Sequence, residues 1–285
     1  MNLRYLLPRI ARHFLPEGAA RFLLRHRLLI KPGLETSDPL QAADQYEHSL
    51  EESGASIRGR QVLIFGYGGR FAVGAELLRR GAGHVVLCDH IQALDDERNL
   101  QLLPQYERYL VRDRDAVRPR PEHMTLLHGD IRSERILQAA GSVDYVFSTS
   151  VYEHLADVEG ITRALAALTR PDGLHIHFVD LRDHFFSYPF EMLHYSRGTW
   201  YGWLNPSSNH NRYRLWDYRR AFEACFEGVD LTVLARDDDA FRQALPRIRP
   251  EFLSGEAAFD SVTLIRVIAS RPIPVRGGNG ALSPA

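Results

Sequence analysis

Two short stretches set histidine beside carboxylates. In "STSVYEHL" Glu153 and His154 are adjacent, and in "VDLRDHF" Asp180 and Asp183 precede His184. Histidine titrates near neutrality, so an imidazole oriented by an acid is a common general base, able to speed removal of an acceptor's proton by about 10²–10⁴-fold. His154 and His184 are therefore the candidate bases, with Glu153 as a catalytic neighbour. A Glu-His pair also serves to cap a helix or anchor a loop, and for Glu153 and His154 both readings stay open. Asp180, Asp183 and His184 have the donor chemistry of a divalent-metal site, but no dense carboxylate–histidine spacing appears, and no metal is expected. His175 and His177 alternate and so share one face of a strand, where packing or hydrogen bonding is expected rather than ligation.

The stretch "QVLIFGYGGRFAVG" offers a different chemistry. An apolar run meets Gly66, Tyr67, Gly68 and Gly69, and a helical pattern follows. Glycine lacks the Cβ that keeps a ligand off the backbone, and the first amides of a helix attract polar or anionic groups. A dinucleotide fingerprint needs a small residue at position 71, where Phe71 stands. That disfavours NAD or FAD and leaves an NAD-dependent oxidoreductase or epimerase as the alternative enzyme. Asp89, followed by His90, closes the run "HVVLCD"; an acid there reaches the two hydroxyls of a ribose. Asp130 in "LLHGDIRS" is placed to meet an adenine amino group while Ile131 packs on the ring. Ser148 shares the rim of Glu153 and His154.

These residues need a scaffold, and the pattern supplies one. "QVLIFG", "HVVLCD", "MTLLHGD", "VDYVFSTS" and "LHIHFVD" read as short buried strands, with helices in "FAVGAELLRRG" and "VEGITRALAALTR". Alternation of this kind indicates a mostly parallel sheet covered on both faces. The polar stretch "DERNLQLLPQYERYLVRDRD" reads as helical. Every candidate cofactor residue falls at a strand's carboxyl end, where open α/β sheets bind ligands. After Asp180 the alternation stops, and an insertion of about residues 184–215 is rich in aromatics. Tyr195, Trp200, Trp203, His210 and Tyr213 in it are candidate substrate-binding residues, by stacking or by ordinary packing of a cap.

Residues 1–55 form an amphipathic helical extension. Leu6, Leu7, Ile10 and Phe14, then Phe22, Leu23, Leu28, Leu29 and Ile30, recur among Arg4, Arg9, Arg12, Arg21, Arg25, Arg27 and Lys31. It either packs on the main domain of residues 56–272 or touches an anionic membrane or lipid-linked substrate. Its apolar runs are too short to span a bilayer. Residues 273–285 read as a flexible tail. The formal net charge of -1 argues against nucleic acid as partner. Two cysteines, Cys88 and Cys225, point to a reducing cytoplasm, with the basic N-terminus leaving peripheral membrane contact open. A single lysine, Lys31, excludes a GxxxxGK phosphate loop.

Together the motifs resemble the class I S-adenosylmethionine-dependent methyltransferases, in their small-molecule group, over about residues 46–270. "VLIFGYGGR" sits where that family has "VLDLGCGxG", and "VVLCD" and "HGDI" match its ribose and adenine segments. "VDYVFSTSVYEHL" matches its fourth strand, and "ALTRPDGLHIH" its turn into strand five. The resemblance implies an α/β, doubly wound, Rossmann-like sheet of seven strands, mostly parallel with an antiparallel last strand. "VDLTVLAR" and "FDSVTLIRVIAS" supply strands six and seven. It also implies S-adenosyl-L-methionine as cofactor and methylation of a small-molecule or glycan- or lipid-like acceptor, read here as O-methylation. Three positions depart: Ile64 replaces the usual acid, Arg70 the third glycine and Asp172 a glycine of the later turn. A degenerate, non-catalytic binding domain is the corresponding alternative. "LNPSSN" lies in the insertion and not after strand four, so it is not the motif of base methylation in nucleic acids.

Overall fold

The computed structural model describes residues 2–14, 38–184, 187–205 and 210–274. Its centre is a seven-stranded sheet made of β1 (Gln61–Phe65), β2 (His84–Asp89), β5 (Met124–His128), β6 (Val143–Thr149), β7 (Thr169–Asp180), β8 (Phe226–Arg236) and β9 (Val262–Pro272). The order across the sheet is β5-β2-β1-β6-β7-β9-β8. The first five are parallel, and β9 runs antiparallel to both β7 and β8. The seven-stranded expectation and its antiparallel last strand are met. Strand order reverses between β1 and β6, and the crevice beyond those two strand ends is where such sheets hold ligands.

Both faces of the sheet are covered, which is why the strands read as unbroken apolar runs. In β1, Val62 and Ile64 enter one buried cluster with Tyr46, Phe147 and Phe178. Leu63 and Phe65 enter another with Val86, Ile136 and Leu165. Helix Pro39–Glu52, started by Asp38 accepting from the Gln41 amide, lays Tyr46 on Phe147 at 4.5 Å between ring centroids. Ile64 thus occupies a site where an acid would be buried among apolar side chains. Helix Leu215–Glu223 covers the β7–β9 end with Tyr218 and Phe222.

The stretch expected to be helical after β2 is a correction. It forms two short helices, Asp96–Leu100 and Leu103–Tyr106, then an antiparallel hairpin of β3 (Leu110–Asp113) and β4 (Ala116–Pro119). Pro119 lacks the amide a helix needs, and Val111 and Val117 favour a pleated surface. Arg114, at φ +54, makes the turn. Strand β7 also starts early, taking up "TRPDG" and leaving a register shift against β6.

The insertion folds as a cap. A 3₁₀ turn, Glu191–His194, leads to a short helix, Arg197–Thr199, that continues as a π turn, Trp200–Leu204. Helix Leu3–His13 closes over it: Tyr5 and Leu6 join Phe190, Met192, Trp200 and Leu204 in a buried cluster. Arg9 donates to the Leu204 carbonyl at 2.8 Å and lies over the Tyr5 and Trp200 rings. Tyr5 and Arg9 also both donate to the buried Asp183. The second N-terminal apolar segment, around residues 22–30, and the tail from residue 275 lie outside the described residues. No helix among the described residues is long and apolar enough to cross a membrane.

Candidate active site

The glycine turn leaves β1 through Gly66, Gly68 and Gly69, at φ +79, +66 and +76, a region that penalises any side chain. Space forbids one too. A Cβ on Gly66 would lie 2.4 Å from Val151 Cγ2, and one on Gly69 would lie 2.1 Å from the Ala93 carbonyl oxygen. Asp89, at the end of β2 and almost fully buried, accepts from the Gly68 amide at 3.1 Å and from the Ile91 and Gln92 amides at 2.8 Å each. A carboxylate has about four lone-pair positions. Three are taken by backbone, so one remains for a ligand hydroxyl.

Asn99 was missed in the sequence. It is fully buried, accepts from the Phe71 amide and donates to the Gly69 carbonyl, both at 2.9 Å. Asp89 and Asn99 thus hold the glycine turn from two sides. An Asn inside a short polar helix carries no pattern that announces this.

Asp130 follows β5 and is held by Arg132, whose guanidinium also bridges to Asp157. That pairing pulls the Asp130 carboxyl down to about 2, so it is ionised at neutral pH. Tyr67 sits nearly enclosed beside Asp89; burial and that charge push its phenol up to about 12. His90 is exposed just beyond. Ile131 and Ser148 face elsewhere: Ile131 is enclosed in the core with Leu63 and Val86, and the Ser148 hydroxyl is 2.7 Å from His177 Nδ1. His177 continues to His175 at 3.2 Å and on to Thr169 at 2.7 Å. The strand-face histidines thus form a buried hydrogen-bonded row, as their spacing implied, and burial holds both neutral.

At the tip of β6, Ser150 takes φ +56 and a 3₁₀ turn, Tyr152–His154, presents the histidine pair's first member. The ring of His154 lies 4.7 Å from that of His184, which follows β7, and 5.9 Å from His210 of the cap; His184 and His210 are 5.1 Å apart. Glu153 is completely buried beside them. Burial raises its carboxyl well above the ordinary range, with the Asp180 charge adding to the effect. Burial lowers His184 to about 4 and His210 well below the ordinary value. The cap fixes this geometry. Asn211 donates to the Tyr152 and Leu155 carbonyls and its amide donates to the Glu153 carbonyl at 2.8 Å. Arg214, fully buried, donates to the Leu181, Asp260 and Val262 carbonyls.

The other cap candidates scatter. Trp200 is wholly enclosed, donating to the His210 carbonyl at 3.0 Å between Arg9 and Arg212, and it has no free ring face. Its aromatic bulk fills the cap's core instead. Trp203 is 55 % exposed and stacks on His13 of the N-terminal helix. Tyr195 stacks on Tyr5, and Tyr213 donates to Glu159. Among the five, His210 is the one in the histidine cluster.

A family model described as a methyltransferase domain matches residues 76–177, from the helix after the glycine turn to β7. No curated protein matches the sequence. Among solved structures, the chain is similar to a geranyl diphosphate methyltransferase in complex with SAM (12% identity, TM-score 0.49, covering 80% of this chain and 85% of that one). It is similar to a geranyl diphosphate C-methyltransferase from Streptomyces coelicolor (9%, 0.48, 80% and 76%). A third is an S-adenosylmethionine-dependent methyltransferase from Mesorhizobium loti (15%, 0.42, 81% and 98%). At these scores the likenesses decide nothing about the acceptor.

Proposed function

We propose that this chain is a class I S-adenosylmethionine-dependent methyltransferase and that it methylates a hydroxyl of a small-molecule or glycan- or lipid-like acceptor. The observation that carries the reading is the convergence of Glu153, His154, His184 and His210 at the 3₁₀ turn that follows Val151, the residue that lies against Gly66 of the glycine turn. The residues present fit the cofactor. An adenosyl group offers ribose hydroxyls and an amino group as donors, and Asp89 and Asp130 at neighbouring strand ends are acceptors. When bound, S-adenosylmethionine supplies an electrophilic methyl carbon on an already activated leaving group, so the protein's tasks are alignment and exclusion of water.

The chain's own residues divide those tasks. The glycine turn lets backbone approach the ligand, and Asp89 accepts from a ribose hydroxyl. The cap, stitched to the β6 loop by Asn211, covers the acceptor. An acceptor hydroxyl must lose a proton as its oxygen attacks, and His154 or His184 takes it. His184 is held neutral by burial and so has a lone pair to offer. The exposed Leu3, Leu7, Ile10 and Phe14 of the N-terminal helix, with Arg4 among them, support a peripheral contact with a membrane or an amphipathic acceptor. Two buried free thiols support a cytoplasmic location.

The test is product identification. Incubated with S-adenosylmethionine and a panel of hydroxylated metabolites, sugars and lipids, the protein gives a methyl ether by mass spectrometry. His154→Ala or His184→Ala loses turnover while S-adenosylmethionine still binds. Full activity in both variants removes the histidine base; methyl found on carbon or nitrogen overturns O-methylation.

A further inference from the structure

Glu153 is an unusual acid. It is completely buried, and neither carboxylate oxygen has a hydrogen-bond partner of ordinary geometry, with the backbone of Glu153 itself and of Asp180 close by. His210, similarly enclosed, has no partner of ordinary hydrogen-bond geometry at either ring nitrogen, with the Arg182 backbone the nearby polar group. Native interiors rarely leave such groups unsatisfied, and each exception calls for a cause such as an ion. One carboxylate oxygen of Glu153 and one ring nitrogen each of His154 and His184 lie within 4.8 Å of one another. The basic side chains of the cluster are paired with other acids, Arg182 with Asp180 and Arg9 with Asp183, although the Arg182 charge still acts on Glu153.

We infer that Glu153, His154 and His184 form a binding site for a divalent transition-metal ion, Zn²⁺ by its donor set. Two imidazoles and a carboxylate suit zinc better than magnesium or calcium, which take oxygen ligands almost exclusively. Three protein ligands with one open position is the arrangement of catalytic zinc, and Glu153, His154 and His184 supply three. Bonds of about 2.0–2.1 Å put tetrahedral ligand atoms about 3.3 Å apart. Ligation would draw the three atoms, now within 4.8 Å of one another, in to that spacing. His210 stands behind His184 as a supporting neighbour. The ion would neutralise a carboxylate that otherwise has to be buried protonated or unpaired.

The chemical role rests on the proposed methyl transfer to oxygen and changes one part of it. An acceptor hydroxyl in the open position loses its proton to water more easily, because the cation stabilises the alkoxide. That oxygen then forms its bond to the methyl carbon as the carbon–sulfur bond breaks, leaving a neutral thioether and a methyl ether. His154 and His184 hold the ion rather than the proton.

The full-length protein, stripped with a chelator and titrated with Co²⁺, tests the site. One Co²⁺ per chain is expected, with the visible absorption of a four- or five-coordinate nitrogen–oxygen site, displaced by Zn²⁺. Glu153→Gln, His154→Ala and His184→Ala each weaken that binding by about a hundredfold or more, beyond what loss of a mere supporting neighbour costs. His48→Ala, on the exposed face of helix Pro39–Glu52, leaves it unchanged. Melting curves taken in chelator show which variants fold, and any variant that does not is replaced by His184→Asn or His154→Gln. Absence of Co²⁺ binding in wild-type protein that binds S-adenosylmethionine overturns the metal site and leaves the methyltransferase reading intact. Co²⁺ binding indifferent to all three substitutions overturns the placement. Co²⁺ binding without any methyl ether product leaves the site standing and removes O-methylation.

Discussion

Asp89 is committed to backbone. Its carboxylate holds the amides of Gly68, Ile91 and Gln92, and the one lone-pair position left is the one we propose for a ribose hydroxyl. Asp89→Ala therefore removes a charge-assisted hydrogen bond and loosens the turn beneath it. Hydrogen bonds to charged groups contribute roughly 1.5–3 kcal/mol, so the affinity for S-adenosylmethionine falls by about ten- to a hundredfold in calorimetric titration. Unchanged affinity would refute the placement of the ribose. The aspartate was legible from its position at a strand end. Its backbone partners were not, because they come from loops whose path only the folded chain sets.

At the scale of elements, the glycine turn is held by a helix barely longer than one turn. Asn99 of Asp96–Leu100 satisfies the Phe71 amide and the Gly69 carbonyl, and Asp95 donates its amide to the same carbonyl. Asn99→Ala leaves buried backbone groups unpaired at a cost of about 1–3 kcal/mol. We expect a lower urea midpoint and weaker S-adenosylmethionine binding, because the Asn99 side chain holds the backbone of the turn. Native stability with native affinity would show that Asp89 alone anchors the turn. The cap works by the same logic. Asn211 and Arg214 bond carbonyls of the β6 loop, of Leu181 just after β7 and of Val262 in β9, which ties this part of the insertion to the strands beside it.

Across the whole molecule, stability is tied to keeping buried histidines uncharged. His175 is lowered to about 3 and His177 well below its ordinary value, in both cases chiefly by burial. Unfolded, each titrates near 6.5. Below about pH 6.5 the unfolded chain binds protons that the native chain refuses, so their contribution is complete above that pH. It is lost as pH falls toward 3, by about 1.4 kcal/mol per pH unit and group. Glu153, raised by burial, works in the opposite sense above the ordinary carboxylate range and offsets part of the slope. Urea denaturation at pH 7.5 and 5.5 should show a loss of stability in the wild type that is smaller in the His175→Gln/His177→Gln double variant. Equal slopes would mean that the pair is not buried neutral.

The sheet, its parallel strands and the strand-end positions of Asp89, Asp130, Glu153 and His184 follow from the sequence alone. Apolar periodicity and glycine placement are local properties that survive without knowledge of the fold. The β3–β4 hairpin was misread because a polar stretch with mixed propensities is decided by what packs on it. The meeting of His184 and His210 with Glu153 and His154, the enclosure of Trp200 and the clamp by Asn99 belong to tertiary structure. They join residues far apart in the chain, and only burial, which removes water as the competing partner, determines which groups find each other and which are left to bind something else.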